Sequence, residues 1–86
     1  MTDNPAYQQL FETIAALKTP AECEAFFSDL CTINELSAMA QRVTAAKLLL
    51  GGETYEQIIS KTDISSATLS RVSRCVKYGS GYKNFL

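Results

Sequence analysis

Signals that start an α-helix recur along this chain so often that they leave little room for any other regular structure. Asn4-Pro5 supplies a cap residue and a first-turn proline, and behind it Tyr7, Leu10, Phe11, Ile14 and Leu17 return at the three- and four-residue spacing of one helix face. Thr19-Pro20-Ala21-Glu22 reads as a capping box, in which the threonine hydroxyl accepts from the third helical amide while the glutamate reaches back to the cap amide. Thr32-Ile33-Asn34-Glu35 repeats the box, and Thr54-Tyr55-Glu56-Gln57 is a further start. Ser65 or Ser66 can cap one more helix. No stretch alternates with the period of two that a strand requires.

The spacing therefore predicts an all-α chain of one domain over 1–86, with helices at about 5–17, 20–31 and 33–50 and a pair of shorter ones over 54–78. Cys23, Phe26, Phe27 and Leu30 belong to the second helix, and Leu36, Met39, Ala40, Val43, Ala46 and Leu50 form a broad stripe on the third before Gly51-Gly52 ends it. Together these faces exceed what an 86-residue monomer covers comfortably, so a homodimer is expected, with a closed monomeric bundle as the alternative.

Charge is distributed unevenly. Residues 1–63 hold all nine acids and four cations, a balance of −5, whereas residues 64–86 hold four cations and no acid, a balance of +4. A slightly acidic chain that reserves a cationic segment for one end offers a surface to a polyanion, although a solvated surface helix has the same composition. Three cysteines without CxxC spacing, in a chain without histidine, do not make a zinc site, and read instead as reduced, buried small side chains. No apolar run exceeds the three leucines 48–50, and the N-terminus lacks the pattern of a signal peptide; the cytoplasm is expected and a membrane is not. Without histidine, a phosphate-binding glycine loop or carboxylates paired on a common cleft, the chain does not read as an enzyme.

Residues 54–75 carry the functional pattern. Ile58, Ile64, Leu69 and Val72 are spaced to meet in one small core, the apolar signature of a helix-turn-helix. At 100° per residue Leu69, Val72 and Val76 share a sector of roughly 60°, while Ala67, Arg71, Arg74 and Tyr78 cluster opposite, with Ser70 and Lys77 at the edge. Small Ala67 and Ser70 allow close approach to base edges, Ser66 and Thr68 can hydrogen-bond there, and the cations reach phosphates or guanine. Asp63 stands where this motif usually has a left-handed glycine, and Ile59 where its crowded first helix usually has alanine. For Ser65, Ser66, Ser70 and Ser73 the plain alternative is capping and solvation; for Tyr78 and Tyr82 it is packing of the tail.

The run LCTINELSAMAQRVTAAKLLLGGETYEQIISKTDISSATLSRV resembles the core of the Trp repressor superfamily. With TPAECEAFFSDLCT before it and SRCVKYGSGY after it, the chain is most similar to the Trp-repressor-related YerC/YecD family of bacteria, over roughly residues 19–82. The resemblance implies an intertwined homodimer that binds double-stranded DNA and regulates transcription, as a repressor or an activator, each subunit setting its recognition helix, 66–78, in the major groove. It assigns DNA contact to Gln57, Ser60, Ser66, Ala67 and Ser70. The basic segment and its capped turn add Lys61, Ser65, Thr68, Arg71, Arg74 and Lys77. By the same resemblance Thr32, Arg42 and Arg71 match residues that hold a small-molecule co-repressor, but Val72 replaces the glycine that leaves room for an indole, which argues against tryptophan. No other cofactor is implied. The rival reading is a dimeric helical protein-interaction module that binds no specific DNA; the two differ in salt response and in preference for one duplex sequence.

Overall fold

The computed structural model describes residues 3–86, and every regular element among them is a helix: α1 Pro5–Ala15, α2 Pro20–Leu30, α3 Ile33–Leu50, α4 Tyr55–Lys61, α5 Ser66–Tyr78 and α6 Gly81–Phe85. They fall into two compact units, one ending at Ile33 and the other Asn34–Leu86.

In the first unit the helix starts are built as the sequence predicts, with one change. Asn4 caps α1 by accepting from the Ala6 amide at 2.9 Å, and Thr19 caps α2 by accepting from the Glu22 amide at 3.1 Å. Glu22 does reach back, but to the amide of Lys18, at 3.0 Å, one residue before the expected cap amide. α1 stops at Ala15, so Leu17 lies beyond the helix whose face it was expected to extend. Neither α1 nor α2 buries a residue. Tyr7, Phe11 and Leu30 remain 46%, 41% and 49% exposed, and Phe26 meets Phe27 edge to face with ring centroids 5.7 Å apart.

The second unit holds the core. Ile58, Ile64, Leu69 and Val72 are all at most 4% exposed and pack with Ala45 and Ala46 of α3, with Leu48, Leu49, Val76 and Tyr82 around them. Each full burial of a large aliphatic side chain contributes roughly 1.5–3 kcal/mol. The two alanines bring the α3 backbone close to the helix pair, because a larger side chain at either place would hold them apart. The buried side of α3 is thus Ala45-Ala46 rather than the whole predicted stripe. Leu36, Val43 and Leu50, seven residues apart, are 38%, 40% and 41% exposed.

α3 ends in a Schellman arrangement: the Gly52 amide donates to Leu49 at 3.0 Å and the Glu53 amide to Leu48 at 3.1 Å, with Gly52 at φ +92°. α4 opens on a complete capping box. Thr54 Oγ1 accepts from the Gln57 amide at 3.2 Å, and Gln57 Oε1 accepts from the Thr54 amide at 2.8 Å.

The turn between α4 and α5 departs from the expected pattern. Among the described residues no non-glycine has a positive φ, so Asp63 does not take the left-handed conformation. The chain turns instead through extended Thr62, at φ −134° and ψ 167°. Its hydroxyl donates to the Ile58 carbonyl at 2.9 Å and accepts from the Ile64 amide at 3.3 Å, tying the helix end to the residue that enters the core. Ile59 is 44% exposed, so the crowding expected there does not arise. The three cysteines are free and half-buried rather than buried.

Replacing Leu69 with alanine is expected to lower unfolding free energy by about 2–5 kcal/mol, whereas Ile59→Ala should cost under about 1 kcal/mol. Urea unfolding of the two variants checks this; equal losses would contradict the assignment of the core.

Candidate nucleic-acid interface

α5 is amphipathic in the sense that matters for an interface: Leu69, Val72 and Val76 fix its inner side, and nothing apolar is needed to hold the outer one. Ala67, Ser70, Arg71, Arg74 and Lys77 are all exposed, as the angular arrangement predicts, and so is Ser66 in the first turn. Ser65 is the residue that caps α5; its hydroxyl accepts from the Thr68 amide at 3.2 Å and donates to Thr68 Oγ1 at 2.9 Å. Of the two serines that could cap, Ser66 is thereby left inside the helix. Ser65 and half-buried Thr68 are engaged with each other, so their first role is to shape the helix start.

On α4, Gln57 and Ser60 are exposed, but both are partly committed to the helix itself: Gln57 through its capping box and Ser60 by donating to the Gln57 carbonyl at 2.9 Å. Lys61 forms an ion pair with Glu53 and so presents less free charge than its exposure implies. Arg71 and Arg74, with Lys77, have no acidic partner among the described residues; the nearest neighbours that could neutralise them in sequence are absent from 64–86. The C-terminal unit carries seven cations and four acids, the unit before it one cation and five acids.

Three residues outside the expected set join the cationic surface. Tyr55, Ser73 and Tyr78 line a polar depression of about 240 Å³ with Ser70, Arg74 and Lys77. Ser73 is 6% exposed, which corrects the expectation of a solvated serine, and Tyr78 is 84% exposed rather than packed. The helical period already places Ser70, Ser73, Arg74, Lys77 and Tyr78 on one stripe; Tyr55 joins it only because the turn folds α4 back onto α5, which spacing does not reveal.

Of the residues matched to a ligand pocket, Arg42 is half-buried on α3 and Arg71 is exposed on α5, whereas Thr32 lies in the other unit. Val72 is 1% exposed and belongs to the core. A larger, apolar depression of about 390 Å³ is lined by Cys75, Gly79, Gly81 and Tyr82, and a Cβ on Gly79 would stand 2.7 Å from the Cys75 carbonyl oxygen. No cluster of three or more metal-ligating side chains occurs among the described residues.

A basic helix pinned by its inner side to a short preceding helix defines a helix-turn-helix domain. Residues 5–86 match the family described as Trp repressor protein, and the chain belongs to that family. It is 52% identical over 71 residues to the uncharacterized protein YerC of Bacillus subtilis, covering 83% of this chain and 68% of that one. The crystal structure of a candidate Trp repressor from Staphylococcus aureus superposes with a TM-score of 0.88 at 40% identity, over 93% of this chain and 81% of the other. A TrpR-like protein from Eubacterium eligens gives a TM-score of 0.89 at 45% identity, over 94% and 84%. These findings give the chain the fold of a DNA-binding regulator, and the family is one of non-enzymatic proteins, in agreement with the reading of the sequence. No helix among the described residues is long and apolar enough to cross a membrane.

Substituting Ser65 with alanine removes the α5 cap and is expected to cost about 1 kcal/mol. Thermal and urea unfolding check this, and an unchanged stability would show that the cap does not hold the helix start.

Proposed function

We propose that this protein is a sequence-specific double-stranded DNA-binding regulator of transcription, which sets α5 in the major groove. Its two units form one domain, and it works in the bacterial cytoplasm as a homodimer. The observation that carries this reading is the division of α5 into a buried side, Leu69 and Val72, and an exposed side with three cations that no acid neutralises among the described residues. Small Ser66, Ala67 and Ser70 near the helix start allow the backbone to approach base edges, and Arg71, Arg74 and Lys77 further along meet phosphates or guanine. Gln57, Ser60 and Lys61 contribute from α4, Lys61 less than its charge implies because Glu53 holds it.

Dimerisation is supported by apolar surface that the single chain leaves open: Tyr7, Phe11 and Leu30 in one unit and the Leu36, Val43, Leu50 row in the other. A row repeating every seven residues suits packing against another helix. Two copies would also present two recognition helices to successive grooves, giving a preference for palindromic sites. Arg42 and Arg71, both in the C-terminal unit, are the cations available to a small-molecule effector. Val72 replaces the glycine that in the resembled family leaves room for an indole, which argues against tryptophan and for a different small molecule or none.

Selection of bound duplexes from a random pool should return a palindromic site. Arg74→Ala should weaken binding to every duplex, and Ala67 or Ser70 substitutions should change which site is preferred, by about 1–3 kcal/mol of discrimination per altered base contact. Binding without sequence preference would favour the protein-interaction module instead. Light scattering should give twice the 9.4 kDa chain mass, and calorimetry with tryptophan should give no heat of binding; a 9.4 kDa particle would remove the dimer, and saturable heat the exclusion of tryptophan.

A further inference from the structure

Ser70, Ser73, Arg74, Lys77 and Tyr78 occupy one stripe of α5 at the i, i+3, i+4, i+7, i+8 spacing that on most helices is apolar and faces a core. Here the stripe is polar and cationic, and with Tyr55, the first residue of α4, it walls a depression of about 240 Å³. No carboxylate lines it. The lining offers a guanidinium, an ammonium and four hydroxyls, nearly all donors, to whatever sits inside.

Ser73 is the informative member. It is 6% exposed and yet lines the depression, and none of the hydrogen bonds within the described residues is made by its hydroxyl. Among the described residues no side-chain polar atom is both sealed and unpaired, so this hydroxyl meets the outside through the depression. A serine placed for core packing gains nothing from its oxygen, and alanine would fill the same space. Neither Arg74 nor Lys77 forms an ion pair among the described residues, so both charges are free to act on the depression.

We propose that this depression is a seat for one phosphate group, gripped by Arg74 and Lys77 and oriented by the hydroxyls of Tyr55, Ser70, Ser73 and Tyr78. A tetrahedral oxyanion has enough acceptor positions for that many donors, and charge-assisted bonds from a guanidinium fork fix its orientation. The inference deepens the DNA-binding reading and rests on it for one of two sources of the group: a backbone phosphodiester, or free phosphate or a phosphomonoester. In the first case the seat sets the register of α5 on the duplex without reading sequence.

The test uses the full chain. Nuclear magnetic resonance follows the amides of Ser70, Ser73, Arg74 and Lys77 during titration with inorganic phosphate at constant ionic strength, with chloride as control. Duplex affinity is measured against salt for the wild type, Tyr55→Phe, Ser73→Ala and Arg74→Gln. Saturable shifts confined to these amides are expected with phosphate and not chloride. They should be lost in Arg74→Gln and weakened several-fold in Ser73→Ala and in Tyr55→Phe; the last removes one hydroxyl from a surface residue and so separates loss of a donor from a folding defect. If duplex displaces phosphate and Arg74→Gln lowers the salt slope by about one, the diester is the occupant. If duplex binds and leaves the phosphate shifts intact, the occupant is the free phosphate or monoester. Phosphate saturation in a protein that binds no duplex would retain the seat and remove the DNA reading. Duplex binding with unsaturating, chloride-like shifts, and with affinity and slope unchanged in Tyr55→Phe and Ser73→Ala, would overturn the seat and leave the DNA reading standing.

Discussion

The packing of Ile58, Ile64, Leu69 and Val72 on Ala45 and Ala46 is the constraint on which the C-terminal unit depends. α4 has seven residues and α5 thirteen, lengths at which isolated helices are marginal in water, so the tertiary contact and not the local propensity decides whether they exist. Once those side chains are buried the rotation of α5 about its axis is fixed. Everything on its far side is then presented to solvent in a defined order, small residues first and cations behind them.

Local hydrogen bonds set where each helix begins, and they bear directly on the surface. Ser65 and Thr68 define the α5 start, and the Thr62 hydroxyl closes the turn without a left-handed residue. That solution explains how Asp63 occupies a position where glycine is usual: the chain passes through extended backbone and stores no strain there. The Glu53–Lys61 pair restrains a cation on α4 while the α5 cations stay open, so the positive surface is concentrated on one helix. Exposed ion pairs of this kind contribute little stability, about 0–1 kcal/mol, and act here on charge distribution.

Much of this was legible in the residues. The capping threonines and Asn4, the four-residue core and the outward turn of Arg71 and Arg74 follow from hydrogen-bonding chemistry and helical period, which are local. What required the fold is what depends on contacts distant in sequence or on weak local signals. Ala45, rather than the large residues of the α3 stripe, meets the core because close helix approach selects for small side chains. Ser73 is buried because its angle lies next to Leu69, a placement its polarity disguised. α6 begins on the second glycine of a Gly-Ser-Gly stretch that reads as tail, and its start has no side-chain cap to announce it. Family membership was readable from the run of residues around the motif, while the site residues remain assignments by position and chemistry.

The claim that the exposed side of α5 meets the duplex is tested most directly by mapping amide chemical shifts of the labelled protein as a selected duplex is added. The account predicts perturbations concentrated at Ser66, Ala67, Ser70, Arg71, Arg74 and Lys77, with the acidic helices α1 and α2 unaffected by direct contact. Perturbations that leave these α5 residues unmoved, or a duplex that moves no signal at all, would contradict it.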